Sequence, residues 1–244
     1  MRYFITLSYL GTHYNGWQRQ PNVKSVQQTL EEAMAIVGRK IIELVGCGRT
    51  DTGVHAKHYI AHFDWEGDFP DNFVFRLNGV LPFDIAIQDI CPMDAAAHAR
   101  FDATSRSYEY YLCGHKSPFT KDTVAFYRHF DKVDWAKAQS AAALLLDYEE
   151  FAPFCKSNHD AFTMRCALSQ SEWRVNQNTK EAVYYVTSNR FLRGMVRLIV
   201  GASLNVGLGK MQLDELRKAM DEQTLIPKAQ SADAQGLFLT NILY

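Results

Sequence analysis

Residues 46–56 read GCGRTDTGVHA and place an Arg-Thr-Asp triplet inside a turn framed by glycines. The preceding stretch IIELVG predicts a strand, and the following KHYIAHFDW alternates apolar and polar residues as a half-buried strand does. The turn therefore joins two structured segments. Asp51 has two interpretations at this stage. It caps the backbone of its own turn, as Asp often does, or it is an exposed carboxylate at the rim of a cleft, with Arg49 beside it.

The rest of the chain combines many strands with a few helices. Alternation predicts strands at RYFITLSY, SRSYEYYLC and QGLFLTNILY, and a hairpin from SEWRVN to AVYYVTS. Ser25 with Gln28 predicts a capping box for a first helix, Asp134 caps a second, and RFLRGMVRLIVGASLNVG and QLDELRKAM predict two more. Strand, helix, strand, strand occurs twice, as in an RRM-like or ferredoxin-like pseudo-repeat. We predict an α+β fold of two sheet-plus-helix halves around a shared cleft, residues 1–103 and 104–244.

Composition narrows the class of protein. Of 244 residues, 47% are hydrophobic and 22% are charged, which is typical of a globular domain. The net charge of −1 gives no global basic field, so a nucleic-acid partner requires a local basic surface. The start MRYFITLSYLG lacks the apolar core of a signal peptide, and no run approaches the roughly 18 apolar residues of a membrane span. Five scattered cysteines indicate free thiols in a reducing cytoplasm.

The sequence does not match the motifs of a phosphate-binding loop, a metal site or a serine or cysteine nucleophile. The turn has the glycine spacing of a P-loop, but Val54 and His55 stand where Lys and Ser or Thr are required. His58 and His62 would lie two pleats apart on one strand, with no Cys or Glu in ligand spacing, so we predict no metal site. The chain has no G-x-S-x-G elbow and no cysteine-protease signature. Asp51 is therefore the best-placed reactive group.

Two further features have both a structural and a functional interpretation. Arg190, Arg193 and Arg197 fall at i, i+3 and i+7 and would share one cationic face of a predicted helix. A solvated surface is the usual meaning of such a stripe. Guanidinium groups also suit phosphates, and Arg190 and Arg193 are candidates for phosphate contacts. Tyr108 lies in a predicted strand, where most aromatic residues belong to the core.

Taken together, the motifs carry a family resemblance. They occur in order and at fitting spacing: GWQRQPNVKSVQQTLEEAM, GCGRTDTGVHA, LNGVLPFDI, HARFDATSRSYEYY, FLRGMVRLIVG and GLFLTNILY. With them the chain resembles the bacterial TruA family of tRNA pseudouridine synthases, from its first strand to its last residue. The G-x-G-R-T-D-x-G-V-H-A motif is highly specific, and R-x-Y-x-Y and M-V-R make chance agreement implausible.

The resemblance assigns a role to each matching residue. It implies that Asp51 is the essential catalytic residue and that Arg49 fills the gap left by a base flipped from its stack. Tyr108 matches the tyrosine that stacks on the target uracil. Arg197, in the M-V-R match, would pair with Asp51 across the cleft, and Leu237 matches an apolar residue that packs on the base.

The resemblance also implies an architecture and a substrate. The family fold is two α+β halves that form one continuous, mostly antiparallel sheet, usually in a homodimer that binds tRNA across both subunits. The reaction uses no metal and no organic cofactor. Its targets are uridines 38 to 40 of the tRNA anticodon arm.

The chain departs from the family pattern in two stretches, and neither touches the catalytic assignment. Asp233 stands where the usual A-P-x-x-G-L has Pro, and LLDYEEF replaces a commoner G-T-H-D-F, which affects loop geometry and tRNA contacts.

One alternative function is a non-catalytic RNA-binding module that uses Tyr108 and Tyr110 as a stacking platform, although no RNP-type run is present. A metal-dependent hydrolase has only the histidines in its favour.

Overall fold

A computed structural model of the protein describes residues 1–156, 162–226 and 230–244. Within these ranges the chain forms nine strands and five α-helices, with mostly antiparallel strand pairing, which confirms the predicted α+β class. The pseudo-repeat and the shared cleft stay predictions. Contacts divide the chain into two compact units, Met1–Thr104 with Phe238–Tyr244, and Ser105–Leu237. The sequence-based division at residue 103 assigns the last strand to the second half instead, and it also stays a prediction.

The first unit is a sheet with two helices. Strand β1 pairs antiparallel with both β3 and β4, β3 pairs parallel with β9, and the short β2 lies beside β3. The elements in chain order are β1 Arg2–Tyr9, α1 Val26–Gly38, β2 Val45–Gly46, β3 His55–Asp64, α2 Phe73–Val80, β4 Ile85–Met93 and β9 Leu237–Leu243. The strand predicted at IIELVG is thus reduced to two residues.

Helix α1 begins and ends where local chemistry requires it. The Ser25 hydroxyl accepts the backbone N–H of Gln28 at 3.2 Å, which confirms the predicted N-cap. Val26, Leu30 and other apolar residues of the helix are buried. Arg39 adopts a left-handed backbone conformation (φ 53°) that ends the helix.

The second unit is an antiparallel sheet with three helices. Its main strands pair in the order β5-β8-β7, and the short β6 pairs parallel with β5. The predicted hairpin, now β7 and β8, and the predicted Asp134 N-cap are confirmed. The elements are β5 Ser105–Cys113, β6 Ala125–Phe126, α3 Trp135–Leu144, β7 Leu168–Asn176, β8 Glu181–Ser188, α4 Met195–Gly207 and α5 Leu213–Asp221.

The predicted cationic helix face is wrong. Helix α4 begins at Met195, so Arg190 and Arg193 lie in the segment before it and only Arg197 is helical. Gly194 takes a left-handed conformation (φ 70°), which is available to glycine at little cost and breaks the helical path. The Arg193 carbonyl accepts the Lys156 N–H at 3.1 Å. The periodicity of apolar residues could not locate the start of α4, because the helical spacing of apolar residues continues on both sides of Gly194.

His62 is a buried histidine of the first unit. It lies on β3 at 5% exposure, and its Nδ1 accepts the backbone N–H of Ala99 at 3.1 Å. Its ring contacts the His98 ring edge-on, with centroids 4.6 Å apart. Burial, assisted by the positive charge of Arg2, lowers the pKa of His62 to about 4. The side chain is therefore held neutral in the folded protein.

This depressed pKa predicts a pH-dependent loss of stability. The unfolded histidine takes up a proton near its ordinary pKa of about 6.5, whereas the folded one resists to about pH 4, so stability falls as the pH drops between these values. Between about pH 7.5 and about pH 5, His62 should contribute a loss on the order of 2 kcal/mol. Urea unfolding of wild type, His62→Gln and the exposed control His13→Gln checks this. Only His62→Gln should show a shallower pH dependence, and an unchanged slope would contradict it.

Candidate active site

Asp51 lies in the turn between β2 and β3. The turn is closed by its own backbone, because the Val54 N–H donates to the Asp51 carbonyl at 3.1 Å. Along it the side chains differ in exposure: Arg49 is exposed, Thr50 is buried at 8% and Asp51 is half-buried. Asp51 is thus half-buried and directly follows a buried residue.

Thr50 anchors the turn from two sides. Its hydroxyl and the Tyr9 hydroxyl form a buried hydrogen bond of 2.8 Å. Its carbonyl accepts the Trp17 N–H at 3.2 Å. Because Thr50 immediately precedes Asp51, both bonds restrict the backbone that carries the carboxylate.

The loop after β1, residues 10–17, lies directly on this turn. The Gly11 N–H donates to Nδ1 of the buried His55 at 2.9 Å, and the Gly53 N–H donates to the Tyr14 carbonyl at 3.3 Å. The Gly11 bond fixes the acceptor nitrogen of the imidazole, so His55 acts here as a structural residue. The residues that bracket Asp51 are therefore bonded to the same loop.

Glycine makes this approach possible. A Cβ atom on Gly16 would lie 2.3 Å from the Thr50 carbonyl oxygen, and one on Gly11 would lie 2.0 Å from the Val54 carbonyl oxygen. Gly16 also has a φ of +82°. No residue with a side chain fits at either position without moving the Asp51 turn.

Aromatic residues form the floor of the turn. The Trp17 and Tyr59 rings stack with centroids 4.1 Å apart, and the Tyr59 hydroxyl donates to the Gly48 carbonyl. A Cβ on Gly46 would lie 2.0 Å from that hydroxyl. Gly46 therefore provides room for the ring pair beneath the turn. Sequence reasoning missed these supporting residues. Their only signal is the glycine spacing of GTHYNGW and the alternation that places Tyr9 and Tyr59 on buried faces.

In the second unit, Tyr108 and Tyr111 are the half-buried tyrosines of β5, and Tyr108 is the one predicted to stack on the base. It is half-buried, pairs with Val186 in register, and meets the Phe191 ring edge-on at 5.2 Å with an interplanar angle of 87°. The edge contact fixes the orientation of the Tyr108 ring. Tyr110, by contrast, is 2% exposed, so the two-tyrosine stacking platform of the alternative RNA-binding module is not present.

Arg197 is held by a segment that we call the strap, residues 230–236. The Arg197 Nε donates to the Ala232 carbonyl at 2.6 Å, and the Ala232 N–H donates back to the Arg197 carbonyl at 3.0 Å. The strap lies so close to helix α4 that a Cβ on Gly201 would be 1.8 Å from the Gln230 carbonyl oxygen. It leads into Leu237, which is 5% exposed.

The strap also contacts the strand that carries Tyr108. The Asp233 backbone is hydrogen-bonded to the Tyr110 hydroxyl, and burial together with the Asp233 charge raises the pKa of Tyr110. A Cβ on Gly236 would lie 2.6 Å from the Tyr111 carbonyl oxygen. Asp233, the unusual residue at this position, therefore fits the strap through its backbone while its side chain is exposed.

The predicted site residues fall into separate parts of the chain. Arg49 and Asp51 share one turn of the first unit. The others belong to the second unit: Tyr108 on β5, Arg197 on α4, Leu237 after the strap, and Arg190 and Arg193 before α4. The ion pair expected between Arg197 and Asp51 stays a prediction. Among the residues described here, no three His, Cys, Asp or Glu side chains cluster as metal ligands, and no helix is long and apolar enough to cross a membrane.

The close approach at Gly16 has a measurable consequence. Gly16→Ala and Gly67→Ala both place alanine at a positive φ (+82° and +79°), which costs about 1–2 kcal/mol in either case. The two positions differ in steric clash, because only the Cβ added at Gly16 meets neighbouring atoms. Gly67 has no neighbouring atom within 4 Å of its added Cβ. In urea unfolding, Gly16→Ala should therefore lose roughly 1–3 kcal/mol more than Gly67→Ala. Equal losses would show that the loop does not constrain the turn.

Comparison of the sequence with known proteins shows the family to which the chain belongs. A family model described as tRNA pseudouridine synthase matches residues 141–244. The tRNA pseudouridine synthase A of Bacteroides fragilis is 43% identical over 100% of this chain and 96% of its own. The tRNA pseudouridine synthase A of Porphyromonas gingivalis is 42% identical over 100% of this chain and 97% of its own. The one of Acetivibrio thermocellus is 32% identical over 98% of this chain and 98% of its own. With relatives this similar along the whole sequence, the chain belongs to the tRNA pseudouridine synthase A family.

Proposed function

We propose that this protein isomerises uridine to pseudouridine in tRNA, with Asp51 as the catalytic carboxylate. The observation that carries the proposal is the half-buried Asp51 on a turn fixed by Thr50, within a chain 43% identical to a tRNA pseudouridine synthase A. An aspartate that served only to cap a turn would not need its backbone fixed from two sides by buried groups.

The reaction is an isomerisation that needs a charged carboxylate in a fixed place. The C1′–N1 bond breaks, the uracil rotates, and C1′ joins C5. C5 loses its proton, while N1, which is no longer bonded to C1′, gains one. Asp51 would add to C1′ or remove the C2′ proton, and both roles require its ionised form. Fixing the attacking group in advance removes part of the entropic barrier to either step. As the family resemblance implies, Arg197 would pair with Asp51 through its terminal amino groups, while its Nε binds the strap.

Base flipping explains the remaining site residues. Extruding a stacked uridine costs a few kcal/mol, and stacking on an aromatic ring returns about 1–3 kcal/mol. Tyr108 supplies that ring, oriented by Phe191. The exposed Arg49 would fill the space that the base leaves. Leu237 would pack on the base, although at 5% exposure it offers only a small edge.

The finer assignments follow from the family resemblance. The substrate positions are uridines 38 to 40 of the anticodon arm, the working form is a homodimer, and the compartment is the cytoplasm, where the five free cysteines would stay reduced. Arg190 and Arg193 would bind RNA phosphates. Arg193 is exposed and Arg190 half-buried, and the Lys156 stem lies against Gly194 next to them, so three cations occur together before α4.

Asp51→Asn should bind tRNA as wild type does and form no pseudouridine. The amide keeps the shape of the carboxylate and one acceptor oxygen but lacks the charge that either role requires. Nucleosides from digested tRNA, separated by chromatography, give the rate, and filter binding gives the affinity. The exposed control Asp71→Asn should keep both. If Asp51→Asn kept more than about a tenth of the rate, a barrier change below roughly 1.4 kcal/mol, Asp51 would not be the catalytic group.

Tyr108 should act through both its ring and its hydroxyl. Tyr108→Phe keeps the stacking face, so the affinity for tRNA should change little while pseudouridine formation slows, because we expect the hydroxyl to take part in the proton transfer from C5. Tyr108→Leu removes the aromatic face and should weaken retention of the flipped base by roughly 1–3 kcal/mol. Wild-type rates in Tyr108→Phe would restrict the residue to stacking. Wild-type behaviour in Tyr108→Leu as well would make Tyr108 an ordinary core residue.

A further inference from the structure

A polar cavity lies within the second unit, beyond the residues assigned above. Its volume is about 420 Å³, within the range of about 300–1,000 Å³ that is usual for ligand sites. Charged and polar residues line it: Arg128, His129, Asn205, Lys210, Gln230 and Asp233. A smaller neighbouring cavity of about 110 Å³ adds an apolar floor that includes Leu112, Ala125 and Leu204.

The charges of the cavity favour an anion. Arg128 and Lys210 are exposed cations, and His129 is half-buried. Asp233 is the carboxylate in this lining, and its side chain is exposed. Two permanent positive charges therefore oppose one negative charge, in a protein whose net charge is −1.

The backbone beside the cavity does not cancel this preference. Helix α4 ends there, and the end of a helix carries unsatisfied carbonyls that repel anions. In this protein each of those carbonyls accepts a backbone N–H: Leu204 from Leu208, Asn205 from Lys210, Val206 from Gly209 and Gly207 from Asp134. The 2.9 Å bond from the Lys210 N–H to the Asn205 carbonyl also fixes the turn that presents the lysine.

Neutral donors can complete the coordination of an oxyanion. The Asn205 and Gln230 amides and the Tyr127 hydroxyl all line the cavity. Asn205 is 7% exposed, so its side chain belongs to the interior of the site rather than to its rim. Burial raises the pKa of Tyr127, which keeps its hydroxyl protonated and able to donate at neutral pH.

We propose that this cavity binds a phosphate group of the tRNA backbone, at a point separate from the reacting uridine. The proposal rests on the proposed function for the identity of the RNA. The cavity is much larger than one phosphate ion, which suits a phosphate that enters with its ribose, and its strongest charges are at exposed positions where a chain can reach them. The strap forms one wall, so the bound phosphate would contact the segment that holds Arg197.

Charge-neutralising variants test the site. Arg128→Gln and Lys210→Gln should each flatten the slope of log affinity against log salt by about 0.7 to 0.9, and should weaken tRNA binding about fivefold to tenfold near 0.1 M salt. Lys218→Gln, on α5 with a 74% exposed side chain, is the matched control and should change neither. Asp233→Asn should strengthen binding, since it removes the opposing charge. In the Lys218→Gln control kcat at saturating tRNA should stay within about twofold of wild type.

The outcomes separate this proposal from the function on which it rests. A wild-type slope in both Arg128→Gln and Lys210→Gln overturns the phosphate site and leaves catalysis untouched. Absence of pseudouridine with wild-type protein overturns the function, whereas the salt slopes still report on the cavity. Inorganic phosphate at constant ionic strength separates RNA from a small free anion. Phosphate that competes with tRNA for wild type but not for Lys210→Gln supports the proposal. Phosphate that binds at the cavity without affecting tRNA affinity overturns it.

Discussion

The contact between the residue 10–17 loop and the Thr50 carbonyl is the constraint on which the rest of the candidate site depends. Trp17 donates to that carbonyl, and Gly16 approaches so closely that no Cβ fits. With the Tyr9–Thr50 bond, this contact leaves the backbone before Asp51 few alternative conformations. For the catalytic role that we propose, a carboxylate benefits from being fixed by the fold rather than by the substrate.

In the second unit, close approaches of the backbone at glycines also fix a predicted site residue, Arg197. The strap lies against α4 and β5 at two glycines, Gly201 and Gly236, and it holds Arg197 through the Ala232 carbonyl. Asp233 occupies this strap without disturbing its backbone contacts, and its side chain is exposed at the proposed phosphate site. At the proposed phosphate site the Asp233 charge would weaken binding of an anion, whereas the contact to Arg197 is made by the neighbouring Ala232.

Sequence patterns predicted the α+β class, the Asp134 and Ser25 caps and the β7–β8 hairpin, because each depends on local periodicity or on one capping side chain. They failed at the start of α4, where a left-handed Gly194 interrupts an apolar spacing that continues through it. They predicted a catalytic role for Asp51 through its motif, which stays a prediction, and they missed the supporting residues Trp17 and Tyr59. Those contacts join residues distant in the chain, and no local pattern encodes them. The predicted pairing of Arg197 with Asp51 likewise depends on tertiary geometry.

Tritium release from tRNA that carries 5-tritiated uridine tests the central claim most directly, because joining C1′ to C5 expels the C5 proton. We predict that the wild-type protein releases tritium to water at the same rate with and without a metal chelator, while the RNA chain stays intact. Binding of tRNA without tritium release would contradict the claim and favour a binding module. Release or strand cleavage that stops on addition of the chelator would contradict it equally and indicate metal-dependent chemistry.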